Sequence, residues 1–128
     1  MMMTFDADIF EEDDSVLEDY RNRLRENSRL RDVIPDKSGT FEVTTELQEE
    51  TRAWTFRSYV TLNGKSLDAV LFPPQQHSFG KTDTDDEVPL AVVNQAAQAH
   101  LEQKQQLQEL LNRRRKKRQA RLKRWALG

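Results

Sequence analysis

The sequence predicts an α+β protein with an acidic N-terminal arm, a short helix, a three-stranded antiparallel meander and a long, projecting C-terminal helix. The meander is predicted from Asn63-Gly64, which lies between two stretches of alternating apolar and polar residues. Both residues tolerate the positive φ that a type I′ hairpin turn needs. The long helix is predicted because about 38 residues after Pro89 contain no helix breaker before Gly128 and place apolar residues at helical spacing.

Four segments follow from these patterns. The first is acidic and poor in apolar residues, so we expect an arm without structure of its own, in which Phe5, Ile9 and Phe10 are predicted to bind protein. The second combines the short helix with the sheet, the third is a loop rich in turn-forming residues, and the fourth is the long helix with a basic end. The segments are, in chain order, residues 1–14, 15–72, 73–88 and 89–128.

The short helix is expected to begin at Ser15, because Ser15 and Glu18 have the spacing of a capping box. Leu17, Tyr20 and Leu24 then share one face. The helical pattern weakens around Asn27 and Ser28, and Pro35 with Asp36, and then Gly39, are expected to end the helix. Its arginines Arg21, Arg25 and Arg29 are read either as a solvated face or as a second basic strip.

In the meander, the expected strands are residues 41–47, 54–62 and 65–71. The turn predicts that Leu62 pairs with Lys65, which brings the apolar residues of the last two strands onto one face. An amphipathic helix is the natural cover for that face.

The long helix carries an apolar seam, which we define as Leu90, Val93, Ala97, Leu101, Leu107 and Leu111. At about 1.5 Å per residue the helix is roughly 55 Å long, which is more than a three-stranded sheet is expected to cover. The C-terminal half of the helix is therefore predicted to contact another copy, another protein or nucleic acid. Its predicted protein-binding residues are Leu101, Leu107 and Leu111.

Charge is distributed unevenly along the chain. The net charge is only −2, yet residues 1–50 hold 15 acids and 6 bases, whereas residues 101–128 hold 2 acids and 10 bases. Such asymmetry is typical of an interaction tail for nucleic acid or an acidic surface. An acidic N-terminus that neutralises the basic C-terminus, within or between copies, is an alternative.

The basic segment of residues 113–124 has nine cations among twelve residues and no acid. Consecutive cations on a helix point in every direction and repel one another, so we expect an anion that surrounds the segment to order it. The segment resembles arginine-rich RNA-binding segments, a class defined by composition, which commonly fold on binding RNA. Predicted nucleic-acid-binding residues are Arg113, Arg114, Arg115, Lys116, Lys117, Arg118, Arg121, Lys123, Arg124 and Trp125.

Other interpretations of the basic segment stay open: docking on an acidic protein surface, a localisation signal, a solvated tail, or a polybasic membrane contact. Nothing in the sequence matches a helix-turn-helix, a zinc finger or a zipper that follows a basic region. Any nucleic-acid binding, whether to RNA or DNA, is therefore expected to be largely independent of base sequence and strongly dependent on salt.

Catalytic chemistry is not predicted. The chain has no cysteine and only two histidines, and no glycine-rich phosphate loop is present. His77 has no carboxylate or nucleophile at triad spacing, and His100 lies beside the helical seam, where a structural position is expected. We predict no catalytic residue, no metal site and no cofactor.

The sequence as a whole indicates a non-enzymatic component of a larger assembly, of the virion or ribonucleoprotein type, with nucleic acid and other protein subunits as partners. The alternative is a purely protein-binding subunit that oligomerises through the long helix, a homo-oligomer included, and pairs its basic end with an acidic surface. The start of the sequence lacks the pattern of a signal peptide and no stretch is apolar enough to insert in a membrane. The expected location is intracellular, in a cytoplasmic or nucleus-like compartment, or inside a virus particle.

Overall fold

The computed structural model describes the backbone of residues 2–70, 72–81 and 87–127, and the side chains of residues 15–70, 72–81 and 87–117. It confirms the α+β class, with an N-terminal helix, an antiparallel sheet and a long C-terminal helix. The elements are α1 (Met2–Asn27), β1 (Arg29–Asp36), β2 (Gly39–Glu49), β3 (Ala53–Leu62), β4 (Lys65–Ser66), β5 (Gln75–Gly80) and α2 (Leu90–Leu127).

Helix α1 begins well before the expected start at Ser15, so the prediction of a capping box there is wrong. Residues 2–27 contain neither proline nor glycine, and extending an existing helix costs far less than nucleating one. The helical backbone therefore continues through the segment that we expected to be an arm. It ends after Asn27, before the Pro35 to Gly39 breakers at which we expected the helix to end, and residues 29–36 form β1 instead. At this end Ser28 adopts a φ of 58° and its N–H donates to the Leu24 carbonyl at 2.8 Å.

The sheet has five strands rather than three. Strands β1, β2, β3 and β4 are neighbours in that order, and β5 pairs with β3, with every pairing antiparallel. Strand β1 was missed because Pro35 and four charged residues obscure its alternation, in which Leu30 is buried between exposed neighbours. As an edge strand it tolerates the proline. Strand β5 was missed because Gln75–Gly80 is short and mostly polar.

The predicted hairpin turn is confirmed. Asn63 and Gly64 have φ angles of 52° and 83°, and Leu62 pairs with Lys65. The third strand, however, stops at Ser66, because the chain turns at Asp68, whose side chain accepts from the Val70 N–H at 2.9 Å. Strand β5 then takes the place beside β3 that we assigned to residues 67–71, of which residue 71 lies outside the described residues.

Both helices pack on the same face of the sheet. The first part of α2, with Val93 and Ala97 fully buried, forms one core cluster with Leu24 of α1 and with Leu47 and Phe56 of the sheet. A second cluster holds the next part of α2 and consists of Phe41, Val43, Val60, Phe72, Leu107 and Leu111. Helix α2 therefore runs along the sheet towards the end that carries the β1–β2 and β3–β4 turns, which we call the hairpin end.

Gly39 lies where the two hairpins meet and has a φ of +137°, a conformation that L-residues rarely adopt. A Cβ at this position would lie 2.5 Å from Nδ2 of Asn63. We therefore expect Gly39→Ala to lower the free energy of unfolding by roughly 1 to 2 kcal/mol, measured by urea denaturation. Gly80→Ala is the control, because a Cβ there meets nothing within 4 Å. Equal stability of the two variants would contradict this prediction.

Among the described residues, no helix has the length and apolar character that crossing a membrane requires.

Candidate nucleic-acid interface

The exposed basic end of α2 is the strongest candidate site. We define it as Arg113, Arg114, Arg115, Lys116 and Lys117, whose side chains are all exposed. The helical backbone continues to Leu127. The remaining predicted nucleic-acid-binding residues lie on that continuation, and their side chains are outside the described residues: Arg118, Arg121, Lys123, Arg124 and Trp125.

Burial of the preceding turns positions this basic end. Leu107 and Leu111 are 0% and 4% exposed and pack against the sheet at its hairpin end. Residues 112–117 are all exposed, so the helix loses the cover of the sheet immediately after Leu111. The buried turns hold the helix against the sheet, and the basic end extends from them into solvent.

The carboxylates that the structure describes neutralise little of this charge. The Arg113 guanidinium donates to Oε1 of Glu109 at 2.6 Å, a pair four residues apart on the same helix. Among the described residues, the other four cations have no carboxylate within ion-pair distance. Asp36 is near: the hydrogen bond from the Ser38 backbone N–H lowers its pKa first, and the charge of Arg115 adds to that shift. Four neighbouring positive charges are therefore available to an external anion.

The predicted protein-binding residues are placed differently from expectation. Leu107 and Leu111 lie in the core of this chain, so they are not available to a partner while the sheet covers them. Leu101 is half-buried against the first core cluster. The side chains of Phe5, Ile9 and Phe10 lie outside the described residues.

The three arginines that we aligned along the first helix do not form one strip. Arg29 belongs to β1, where its Nε lies 3.6 Å from Oε1 of Glu46. Arg21 donates to Oδ1 of Asn94 at 3.4 Å, which joins α1 to α2, whereas Arg25 is exposed. The second basic strip is therefore wrong.

A buried polar network is the other cluster of chemistry-bearing side chains. His100 is fully buried, with Nε2 donating to Oδ2 of Asp32 at 2.7 Å and Nδ1 hydrogen-bonded to Oγ1 of Thr45 at 2.8 Å. The Thr45 hydroxyl donates to Oγ of Ser58 at 2.9 Å, and the Tyr20 ring meets the imidazole edge-on with centroids 4.8 Å apart. Sequence reasoning placed His100 beside the seam but did not find its partners, which are 55 and 68 residues away along the chain.

The network shifts two pKa values. The hydrogen bond from His100, with help from the charges of Lys104 and Arg23, lowers the pKa of Asp32 to about 2 against the opposing effect of burial. Burial, reinforced by the negative charge of Asp32, raises the pKa of Tyr20 to about 12. Asp32 is therefore a carboxylate and Tyr20 a neutral phenol across the physiological range.

Within the described residues, the centre of this network is closed to solvent. Thr45, Ser58 and His100 are each 0% exposed. Cavities among the described residues include four at the surface, of 170 to 420 Å³, and none of these four is lined by the three side chains. Within the described residues no group of three or more histidine or acidic side chains is arranged to hold a metal ion. The geometry of the network fits internal hydrogen bonding, which buried polar groups require.

Comparisons with protein-family models, with curated proteins and with solved structures found no match.

Proposed function

We propose that this protein is a non-enzymatic component of a larger assembly, of the virion or ribonucleoprotein type, whose basic C-terminal helix binds the nucleic-acid backbone largely without sequence specificity. One observation carries the proposal: the basic end of α2 presents five consecutive exposed cations beyond the buried turn that contains Leu111. Among the side chains that the structure describes, Arg113 alone of these five is paired with a carboxylate. The sequence adds four more cations before Leu127.

The arrangement of these charges favours a nucleic acid over a flat acidic surface. Successive residues of an α-helix are rotated by about 100°, so five consecutive cations surround the helix axis. A flat partner neutralises one side of such a helix, whereas a nucleic-acid groove or a folded strand places phosphates on several sides. Double-stranded DNA carries about one charge per 1.7 Å of axis, which is dense enough to pair with every turn of the helix.

The competing function, a purely protein-binding subunit, loses part of its support in this structure. It required the apolar seam to form a coiled coil with another chain. Leu107 and Leu111, in the C-terminal half of that seam, already pack inside this chain. That alternative is then reduced to one case, in which an acidic protein binds the basic end alone.

The test is a fluorescence-anisotropy titration on single- and double-stranded DNA and RNA at several salt concentrations. We expect binding whose log–log salt slope is about −4 to −6, because some five to seven of the nine cations displace counterions. In the triple variant R113Q/R114Q/R115Q the slope should fall by about 2 to 3, and the affinity near 0.1 M salt should fall at least tenfold.

The matched control is R25Q/R52Q/R57Q, which removes the same charge from exposed positions outside the basic end. It should bind nearly as wild type does. Size-exclusion chromatography with light scattering of all three proteins separates the alternatives. If the wild type fails to bind even at low salt, or if the triple variant loses an oligomeric state but no nucleic-acid affinity, the proposal is wrong.

A further inference from the structure

Two hairpin turns lie at the point where α2 leaves the sheet. The β1–β2 turn contains Lys37, between paired Asp36 and Gly39. The β3–β4 turn is followed directly by Lys65, which pairs with Leu62. Because β2 and β3 pair Phe41 with Leu62, both turns lie at the hairpin end. Leu107 and Leu111 are buried at this same end. The lysines of both turns therefore lie next to the start of the basic end, at Arg113.

Hydrogen bonds join the two hairpins to each other. The Thr40 N–H donates to Oδ1 of Asn63 at 2.9 Å, and the Asn63 N–H donates to the Thr40 carbonyl at 2.9 Å. Gly39 leaves the space that the Asn63 side chain occupies. Neighbouring strands are about 4.8 Å apart, so the centres of the two hairpins are separated by about 10 Å. The backbone thus presents two exposed lysines at a fixed spacing beside the helix.

The charge of this region is strongly positive. Its described side chains include seven cations, and its carboxylates are Asp36, Asp68 and Glu109. All three are engaged within the chain: Glu109 accepts from Arg113, Asp36 accepts from the Ser38 N–H at 3.1 Å, and Asp68 accepts from the Val70 N–H at 2.9 Å. The seven cations are Lys37, Lys65, Arg113, Arg114, Arg115, Lys116 and Lys117.

Distance decides whether the hairpin lysines act on the same ligand as the helix. The Debye length at physiological salt is about 8 Å, comparable to the separation of the hairpins. A duplex presents roughly six phosphate charges over about 10 Å of its axis. One nucleic-acid segment is therefore long enough to contact both hairpins and the start of the basic end.

We propose that Lys37 and Lys65 form, together with the basic end of α2, one composite phosphate-binding surface at the hairpin end of the sheet. The nucleic acid then contacts the folded domain as well as the projecting helix. This inference rests on the proposed function and adds binding residues on the sheet that the sequence pattern did not identify.

The experiment compares K37Q/K65Q with R25Q/R52Q, a pair of equal charge loss that is remote from the hairpin end, in the same anisotropy titration of the full chain. The probes are a short DNA duplex and a single-stranded RNA. Each phosphate contact corresponds to a slope of about 0.7 to 0.9, so K37Q/K65Q should reduce the salt slope by about 1.4 to 1.8. One such contact changes the binding constant about eightfold between 1 M and 0.1 M salt. The loss of two contacts should therefore lower the affinity near 0.1 M salt at least tenfold.

A charge-reversed pair, K37E/K65E, should weaken binding further, whereas R25E/R52E should have a much smaller effect. Far-ultraviolet circular dichroism and thermal unfolding of each variant confirm that the exposed substitutions leave the fold intact. If K37Q/K65Q and R25Q/R52Q have equal salt slopes while R113Q/R114Q/R115Q has lost affinity, the composite surface is wrong and the proposed function stands. If the wild type binds neither probe at low salt, both are wrong.

Discussion

Leu107→Ala should lower the free energy of unfolding by about 2 to 5 kcal/mol, and the loss should be the same at every protein concentration. Leu107 is 0% exposed and packs in the second core cluster with Phe41, Val60 and Phe72. Truncation to alanine removes buried methyl groups and leaves a cavity that surrounding strands fill only partly. Urea denaturation at two protein concentrations that differ by about tenfold measures both the loss and its concentration dependence.

The concentration dependence distinguishes an intramolecular core from a coiled coil. If Leu107 were buried between chains, dilution would lower the stability of the wild type, and the variant would chiefly lose its association. Leu90→Ala is the control in the same helix, because Leu90 is 54% exposed and its truncation should cost less than 1 kcal/mol, as is typical of surface positions (about 0.5 kcal/mol). A small loss for Leu107→Ala, or a wild-type midpoint that moves with concentration, would contradict the intramolecular packing.

The apolar seam shows what the sequence could and could not predict. Helical spacing correctly identified Val93, Ala97, Leu107 and Leu111 as one buried face. The expectation that the helix is longer than the sheet can cover agrees with the exposure of residues 112–117. The sheet nevertheless covers Leu107 and Leu111, which we expected to bind protein, because its strands are long. Strand β2 has 11 residues, which at about 3.3 Å each extend over about 35 Å. The buried stretch of α2 from Val92 to Leu111 rises about 30 Å. The β2–β3 hairpin is therefore long enough to cover it.

The candidate interface was predictable in part, for a physical reason. A run of cations is visible in sequence because it is local, and the structure adds that residues 113–117 are exposed and follow the buried turn that contains Leu111. The adjacency of Lys37 and Lys65 depends on strand register between hairpins, and β1 was not recognised at all. The network around His100 was equally hidden, because its partner Asp32 lies on that unrecognised strand.

The charge of Asp32 should stabilise the fold at neutral pH by about 2 kcal/mol, and this contribution should disappear in acid. Its carboxylate accepts from Nε2 of the fully buried His100 at 2.7 Å, and Nζ of Lys104 and Nη1 of Arg23 lie at 3.7 and 4.0 Å. These contacts lower the pKa of Asp32 to about 2 in the folded state, against an ordinary value of 3.8. The unfolded chain therefore binds this proton more readily than the folded one.

Because the folded pKa is the lower of the two, the stabilisation is fully present above the unfolded value and declines as the pH falls from about 4 towards 2. Asp32→Asn isolates this effect, since the amide oxygen still accepts from Nε2–H of His100 and only the charge is lost. Urea denaturation of both proteins across this range should give a difference of about 2 kcal/mol at pH 6 that shrinks towards zero near pH 2. The remaining carboxylates titrate in both proteins and cancel in the difference. A difference that stays constant with pH would mean that Asp32 contributes through packing and hydrogen bonding and not through its charge.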